Sequence, residues 1–198
     1  MKTVSDSETP SHGGTRCIAR RTVLCAGALA GMEMTGLVQP ALAQAENERP
    51  KEGDLLVSVD AEPPAALAVS DIPLGGPQVL AWPMDPTGVV RKGSRLNKVL
   101  LLHLDPATLT GVTSERAAEG VVAYSAICPH AGCEISGWDA GQKILECSCH
   151  FSHYNPREAA TVIDGPTPRA PAALPLKVEN GKLVVAKAFT GRVGIVPT

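Results

Sequence analysis

Two short blocks rich in cysteine and histidine constrain this chain more than any other feature. They are Cys128-Pro129-His130-Ala131-Gly132-Cys133 and Cys147-Ser148-Cys149-His150-Phe151-Ser152-His153-Tyr154. Each supplies one Cys and one His in the pattern C-x-H-x16-C-x-x-H. Thiolates are soft donors suited to iron–sulfur centres and zinc, and imidazole suits iron and zinc alike. Two loops that each offer one of both kinds can grip a two-iron cluster crosswise, with both Cys on one iron and both His on the other. The same four donors also fit a structural Cys2His2 zinc site. Cys133 and Cys149 stand a few residues beyond a ligand candidate, one per block. They leave open a disulfide joining the loops in an oxidising compartment, or a zinc site that takes all four Cys and frees the His. The paired Cys/His layout favours the two-iron reading.

The rest of the chain reads as a β-rich support for these loops. Aromatic residues make up only 3%, so the core must rest on Val, Leu, Ala and Ile. Seventeen Pro and nineteen Gly point to many turns rather than a helix bundle. Strands are expected at 55–59, 78–82 (closed by Pro83), 98–104, 121–127 and 143–146. Two more, at 176–179 and 182–187, flank Asn180-Gly181, a strong hairpin signal. Many short strands argue for an all-β antiparallel sandwich or partly open barrel. No helix is expected with any force. The formal net charge of −2 shows no basic excess, so nucleic acid is not an expected partner.

Residues 1–43 read as a leader. A basic stretch from Arg16 to Arg21 precedes an apolar run from Thr22 to Met32, and Ala41-Leu42-Ala43 offers a cleavage site after Ala43. Arg20-Arg21 followed by Thr22-Val23-Leu24 resembles a twin-arginine signal, which exports proteins already folded. The alternative is an uncleaved membrane anchor. A spanning helix wants roughly 20 apolar residues, and Glu33 interrupts this run at a cost of roughly 2–3 kcal/mol near mid-membrane. Cys17 and Cys25 leave with the leader, so the four Cys of the two blocks remain. Residues 44–54, with Glu46, Glu48, Arg49, Lys51 and Glu52, read as a flexible linker. Residues 55–198 form the domain, with the cluster-binding subdomain at about 126–170.

The two blocks resemble the disulfide-bearing branch of the Rieske protein family, with C-x-H-x-G-C in the first loop and C-x-C-H-x-S-x-Y in the second. That resemblance implies one [2Fe–2S] cluster in a small subdomain of two loops. Cys128, His130, Cys147 and His150 are then the ligands, and Cys133 and Cys149 form a disulfide. It implies that the Ser152 hydroxyl bonds a bridging sulfide and the Tyr154 hydroxyl a ligand sulfur. Gly165-Pro166-Thr167-Pro168 looks like the family's proline-rich covering loop. Outside the motif, His153 reads as a surface residue and His103 as a satisfied strand residue. Asp105, Asp139 and Asp164 read as turn formers.

Departures within the family narrow the expectation. Ala131 stands where the cytochrome bc1 Rieske subunit usually has a bulky residue, and Phe151 where it has Gly. The run Val121 to Ser125, the step Cys149-His150-Phe151 and the stretch Phe189-Thr190-Gly191-Arg192 look like the small subunit of arsenite oxidase. The expected function is one-electron transfer in the periplasm. The expected partner is a large catalytic oxidoreductase subunit, such as an arsenite-oxidase-like molybdoenzyme, or a cytochrome acceptor. A quinol-oxidising bc1-type subunit and a stand-alone redox carrier are the alternatives. No residue looks like a substrate-transforming acid, base or nucleophile.

Overall fold

The computed structural model describes residues 38–195, with side chains from residue 42 onward. The expected leader lies, up to residue 37, outside the described residues. Its last part enters helix α1 (Val38–Asn47), which runs through the expected cleavage site. Among the described residues no helix is long and apolar enough to cross a membrane.

Among the described residues ten strands form two antiparallel sheets. The larger has the order β4-β3-β2-β1-β10-β9 and comprises β1 (Leu55–Ser58), β2 (Val79–Met84), β3 (Val99–His103), β4 (Val121–Ser125), β9 (Leu176–Glu179) and β10 (Lys182–Val185). It curls back on itself. The segment entering β9 bonds to β4, with the Ser125 amide donating to Ala172 O at 2.8 Å and the Leu174 amide to Ala123 O at 2.9 Å. The smaller sheet is a meander of β5 (Gly137–Asp139), β6 (Ile144–Cys147), β7 (Ser152–Asn155) and β8 (Thr161–Asp164). The expected partly open barrel with a small cluster-binding unit is therefore the observed architecture.

The unbroken apolar run of β3 follows from burial on both faces, because successive side chains in a strand point opposite ways. Val99 and Leu101 face the interior of the curled sheet with Leu56, Val121, Leu174 and Leu183. Leu100 and Leu102 face the other way, into a second core with Tyr124, Leu145, Tyr154, Cys128 and Cys147. The smaller sheet thus seats its two sulfur-bearing loops on the outer face of β3 and β4. Asn180 and Gly181 both have positive φ, at 51° and 74°, as the β9–β10 hairpin requires.

Three expectations need correction. Pro83 lies inside β2 rather than ending it, because the β2–β3 ladder stops at Ala81 and a missing N–H there breaks no bond to β3. Residues 44–54 are not a flexible linker. Asp54 is buried and holds the buried Arg91 through two bonds, at 2.7 and 3.1 Å, while Glu48 takes the same guanidinium at 2.8 Å. The Gly53 amide bonds Val185 O at 2.9 Å. The charges that suggest a solvated segment are the counter-charges of one buried cation. The third correction is an omission: α2 (Gly111–Arg116) and strands β5, β7 and β8 had no strong periodic signal, being only three to six residues long.

Candidate metal centre

Two turns bring the blocks together. In the first loop the Cys128 amide donates to Cys133 O at 2.8 Å and the Gly132 amide to Cys128 O at 3.0 Å. The Arg95 guanidinium also donates to Gly132 O. The second loop is the β6–β7 connection, where Cys147 pairs with Ser152 and the Phe151 amide donates to Cys147 O at 2.9 Å. Cys133 and Cys149 form a disulfide that joins the two loops. Their sulfurs lie within 4.8 Å of Cys147 Sγ, but being bonded to each other they offer no thiolate.

That leaves Cys128 and Cys147 as free thiols, both buried. His130 is half-buried and His150 is exposed, and their rings stack edge-on with centroids 4.6 Å apart. The structure therefore gathers sulfur at the buried end and imidazole at the open end. Burial is the largest influence on the Cys147 thiol and pushes it up; the Cys149 and His150 amides pull it down, and the adjacent Cys128 raises it. Two buried thiolates side by side need a cation between or beside them.

Two buried polar atoms here lack a partner, Ser152 Oγ and His130 Nδ1. Buried polar groups are normally bonded, so such orphans call for a group that would satisfy them. A sulfide-bearing iron cluster does so at both: the imidazole nitrogen can ligate iron and the hydroxyl can donate to sulfur. Tyr154 Oη lies 3.2 Å from Cys128 Sγ. Burial first, and then the sulfur beside it, push the Tyr154 phenol well above its usual range, so it keeps its proton and can donate. The residues present fit the group.

The Gly165–Pro168 loop packs against the second block. Gly165 has φ +93°, and a Cβ there would fall 2.5 Å from Ser152 Cα and 2.7 Å from Phe151 O, so only glycine allows this approach. Thr167 of this loop, buried at 7% exposure, donates its hydroxyl to Arg169 O at 3.1 Å; its burial was not evident from sequence. Neither was the role of the Tyr124 hydroxyl, which donates to Pro156 O at 2.8 Å and anchors the end of β7 to the larger sheet. His103 bonds Ile72 O at 3.1 Å, a satisfied strand residue as read. Asp105 and Asp139 accept turn amides as read. His153 and Asp164 differ from expectation. His153 is bridged between Asp164 at 2.5 Å and Glu146 at 3.2 Å, which ties β8 and β6 to β7.

The family model of the Rieske [2Fe-2S] domain matches residues 97–187. A Haloferax mediterranei protein named as a respiratory nitrate reductase Rieske subunit is 38% identical over 48% of this chain, which spans 43% of that relative. A cytochrome bc1 complex Rieske iron-sulfur subunit from Streptomyces lividans is 30% identical over 72% of this chain and 85% of its own length. The soluble domain of Rieske protein II from Sulfolobus acidocaldarius aligns with a TM-score of 0.38 at 19% identity, over 48% of this chain and 66% of that one. Sulfur donors buried between two sheets, imidazoles at the open end and a bridging disulfide thus stand in a chain whose relatives carry the same name, and this chain belongs to the Rieske [2Fe–2S] protein family.

Proposed function

We propose that Cys128 and Cys147 hold one iron of the family's single [2Fe–2S] cluster, and His130 and His150 the other. In this reading Ser152 and Tyr154 donate to sulfur, and the chain is the electron-transfer subunit of an exported oxidoreductase. The observation that carries it is the pair of orphaned atoms, Ser152 Oγ and His130 Nδ1, beside two buried free thiols. The cluster, when bound, supplies a one-electron couple. The protein's own residues do the rest. Cys128 and Cys147 lie in the apolar core, away from water. The exposed His150 marks the end at which a partner can approach. The disulfide holds the two loops at a fixed separation. Tyr154, protonated and buried, keeps a donor 3.2 Å from Cys128 Sγ.

The partner reading rests on the relatives. Their names place them in a respiratory nitrate reductase and in bc1 complexes. A large catalytic subunit of the arsenite-oxidase-like, molybdenum-bearing kind is the first proposal, on the likeness of Val121–Ser125 and Cys149–Phe151. A quinol-oxidising bc1-type role is the second, on the 30% identity to the Streptomyces lividans bc1 subunit over 72% of this chain. Export by the twin-arginine route is proposed from Arg20-Arg21. The double change Arg20→Lys with Arg21→Lys should hold the protein in the cytoplasm; normal export of that variant would remove the proposal. The exported form should begin near Gln44.

The ligand set is tested by reduction with dithionite. The native protein should give the rhombic paramagnetic signal of a histidine-ligated two-iron cluster, and His130→Ala or His150→Ala should abolish it. Protein from an iron-replete host that carries stoichiometric zinc and no iron would overturn the assignment.

A further inference from the structure

Phe151 stands immediately after the ligand candidate His150, with backbone φ +53°. That is the left-handed region, which an L-residue with a bulky side chain enters only at a cost. The turn itself imposes the conformation. The Phe151 amide bonds Cys147 O at 2.9 Å, and Phe151 O sits 2.7 Å from the space above Gly165. Glycine would fill this position without strain. The aromatic ring brings little packing in return, since Phe151 is 65% exposed. A strained position holding a large apolar side chain in water is unfavourable twice over within this chain. Its benefit must come from a contact outside it.

The surroundings define that contact. Residues Cys128–Cys133 and Cys147–Ser152 contain no Asp, Glu, Lys or Arg. The exposed Arg95 guanidinium lies at the edge of the first loop and donates to the Gly132 carbonyl. Ile195, 50% exposed, lies beside Gly132 on that same loop, its Cγ2 3.8 Å from where a Cβ would be. The second loop therefore carries one large apolar side chain, Ile195 of the C-terminal segment lies beside the first, and neither loop contains a formal charge of its own. Around Phe151, a loop with an exposed aromatic ring and no charge of its own is complemented by an apolar surface, because a charged one would lose its hydration against the ring without gaining a partner.

We infer that Phe151 is the positioning residue through which the redox partner protein docks, its ring entering an apolar recess beside that partner's own redox centre and so holding His150 close enough for the electron to cross. The inference rests on the ligand reading above. It assigns Phe151 to encounter and orientation, with no part in holding the cluster or setting its potential.

The test uses the full cluster-bearing chain on gold electrodes coated with methyl-terminated or hydroxyl-terminated alkanethiols of equal length. The methyl surface is the probe for an apolar partner. Phe151→Gly should slow electron exchange on the methyl surface roughly tenfold, the scale of one lost aromatic contact. It should leave the rate on the hydroxyl surface, the reduction potential and the paramagnetic signal unchanged. Its melting temperature should equal or exceed the native value, because strain is relieved. Phe151→Leu should keep most of the native rate. A native rate for Phe151→Gly on the methyl surface would overturn the inference. So would equal slowing on both surfaces, a moved potential or a lowered melting temperature, each of which would make the ring a structural part of the domain. Absence of the paramagnetic signal from the native protein would instead remove the ligand reading on which it rests.

Discussion

The curled six-stranded sheet and the four-stranded sheet beside it hold together by different means. The interior of the larger sheet is lined by Leu56, Leu67, Val99, Leu101, Val121, Leu174, Leu183 and Val185, all buried and all aliphatic. Such a core depends on total burial and volume, and one aliphatic residue can replace another at modest cost. The smaller sheet has much less to bury. Every residue of β8 is exposed and every residue of β5 is only half-buried. Specific bonds take the place of area there: a disulfide, a Tyr154–cysteine contact, a histidine between two carboxylates and a glycine that admits the covering loop. The larger sheet can thus tolerate change at many positions, whereas the smaller one is sensitive at a few.

That contrast can be broken most forcefully by one substitution in each region. Leu101→Ala, at a fully buried site of the larger sheet, should cost about 2–5 kcal/mol of global stability. It should leave the reduction potential of the remaining folded protein unchanged. Removing the bridge with Cys133→Ser and Cys149→Ser should cost roughly 2–4 kcal/mol, concentrated in the smaller unit. Denaturant unfolding followed separately by far-ultraviolet dichroism and by cluster absorbance measures both. The bridge variant should lose cluster absorbance before secondary structure, and the leucine variant should lose both together. Coincident loss in both variants would erase the distinction between the regions.

A smaller effect separates bonding from packing within the site. Tyr154→Phe removes one hydroxyl aimed at Cys128, and Ser152→Ala removes the orphaned buried hydroxyl. Hydrogen bonds to sulfur favour the electron-rich reduced state. Each change should lower the potential by tens of millivolts, where about 59 mV is tenfold for one electron. The cluster should stay assembled. Voltammetry with unchanged potentials in both variants would show that neither hydroxyl tunes the site.

The smallest effect concerns His153. Asp164 first, and Glu146 as well, raise its affinity for a proton above the ordinary value of 6.5, against a smaller opposing effect of burial. Asp139 also feels its charge. A raised folded-state value means that the stabilisation is fully present below the unfolded value and is lost as pH rises through the folded one. The native protein should therefore exceed His153→Gln in stability at about pH 5.5 by less than about 1 kcal/mol. The gap should close toward alkaline pH. A gap that is constant from pH 5.5 to 9 would mean that packing, rather than charge, holds β8.

Sequence legibility follows the same division. Strands β3, β4, β9 and β10 were visible because burial on one or both faces writes a long apolar or alternating pattern. Strands β5, β7 and β8 were not, because short half-exposed strands need no such pattern. Residues 44–54 misled for a related reason: Glu48 and Asp54 look solvated until Arg91, far along the chain, is folded against them.

The sequence by itself determined the donor chemistry available to the proposed metal centre. Soft thiolates and imidazoles at fixed local spacing carry their own ligand preference, and Cys128, His130, Cys147 and His150 could be named without a fold. Only the tertiary structure decided which groups those donors would meet. It brought Gly165 to Ser152, put His153 between two acids, and left Phe151 strained and open beside His150. The physical reason is range. Ligand type and turn chemistry are properties of a few adjacent residues, whereas burial, ion pairing and exposure depend on segments that approach only when the two sheets pack.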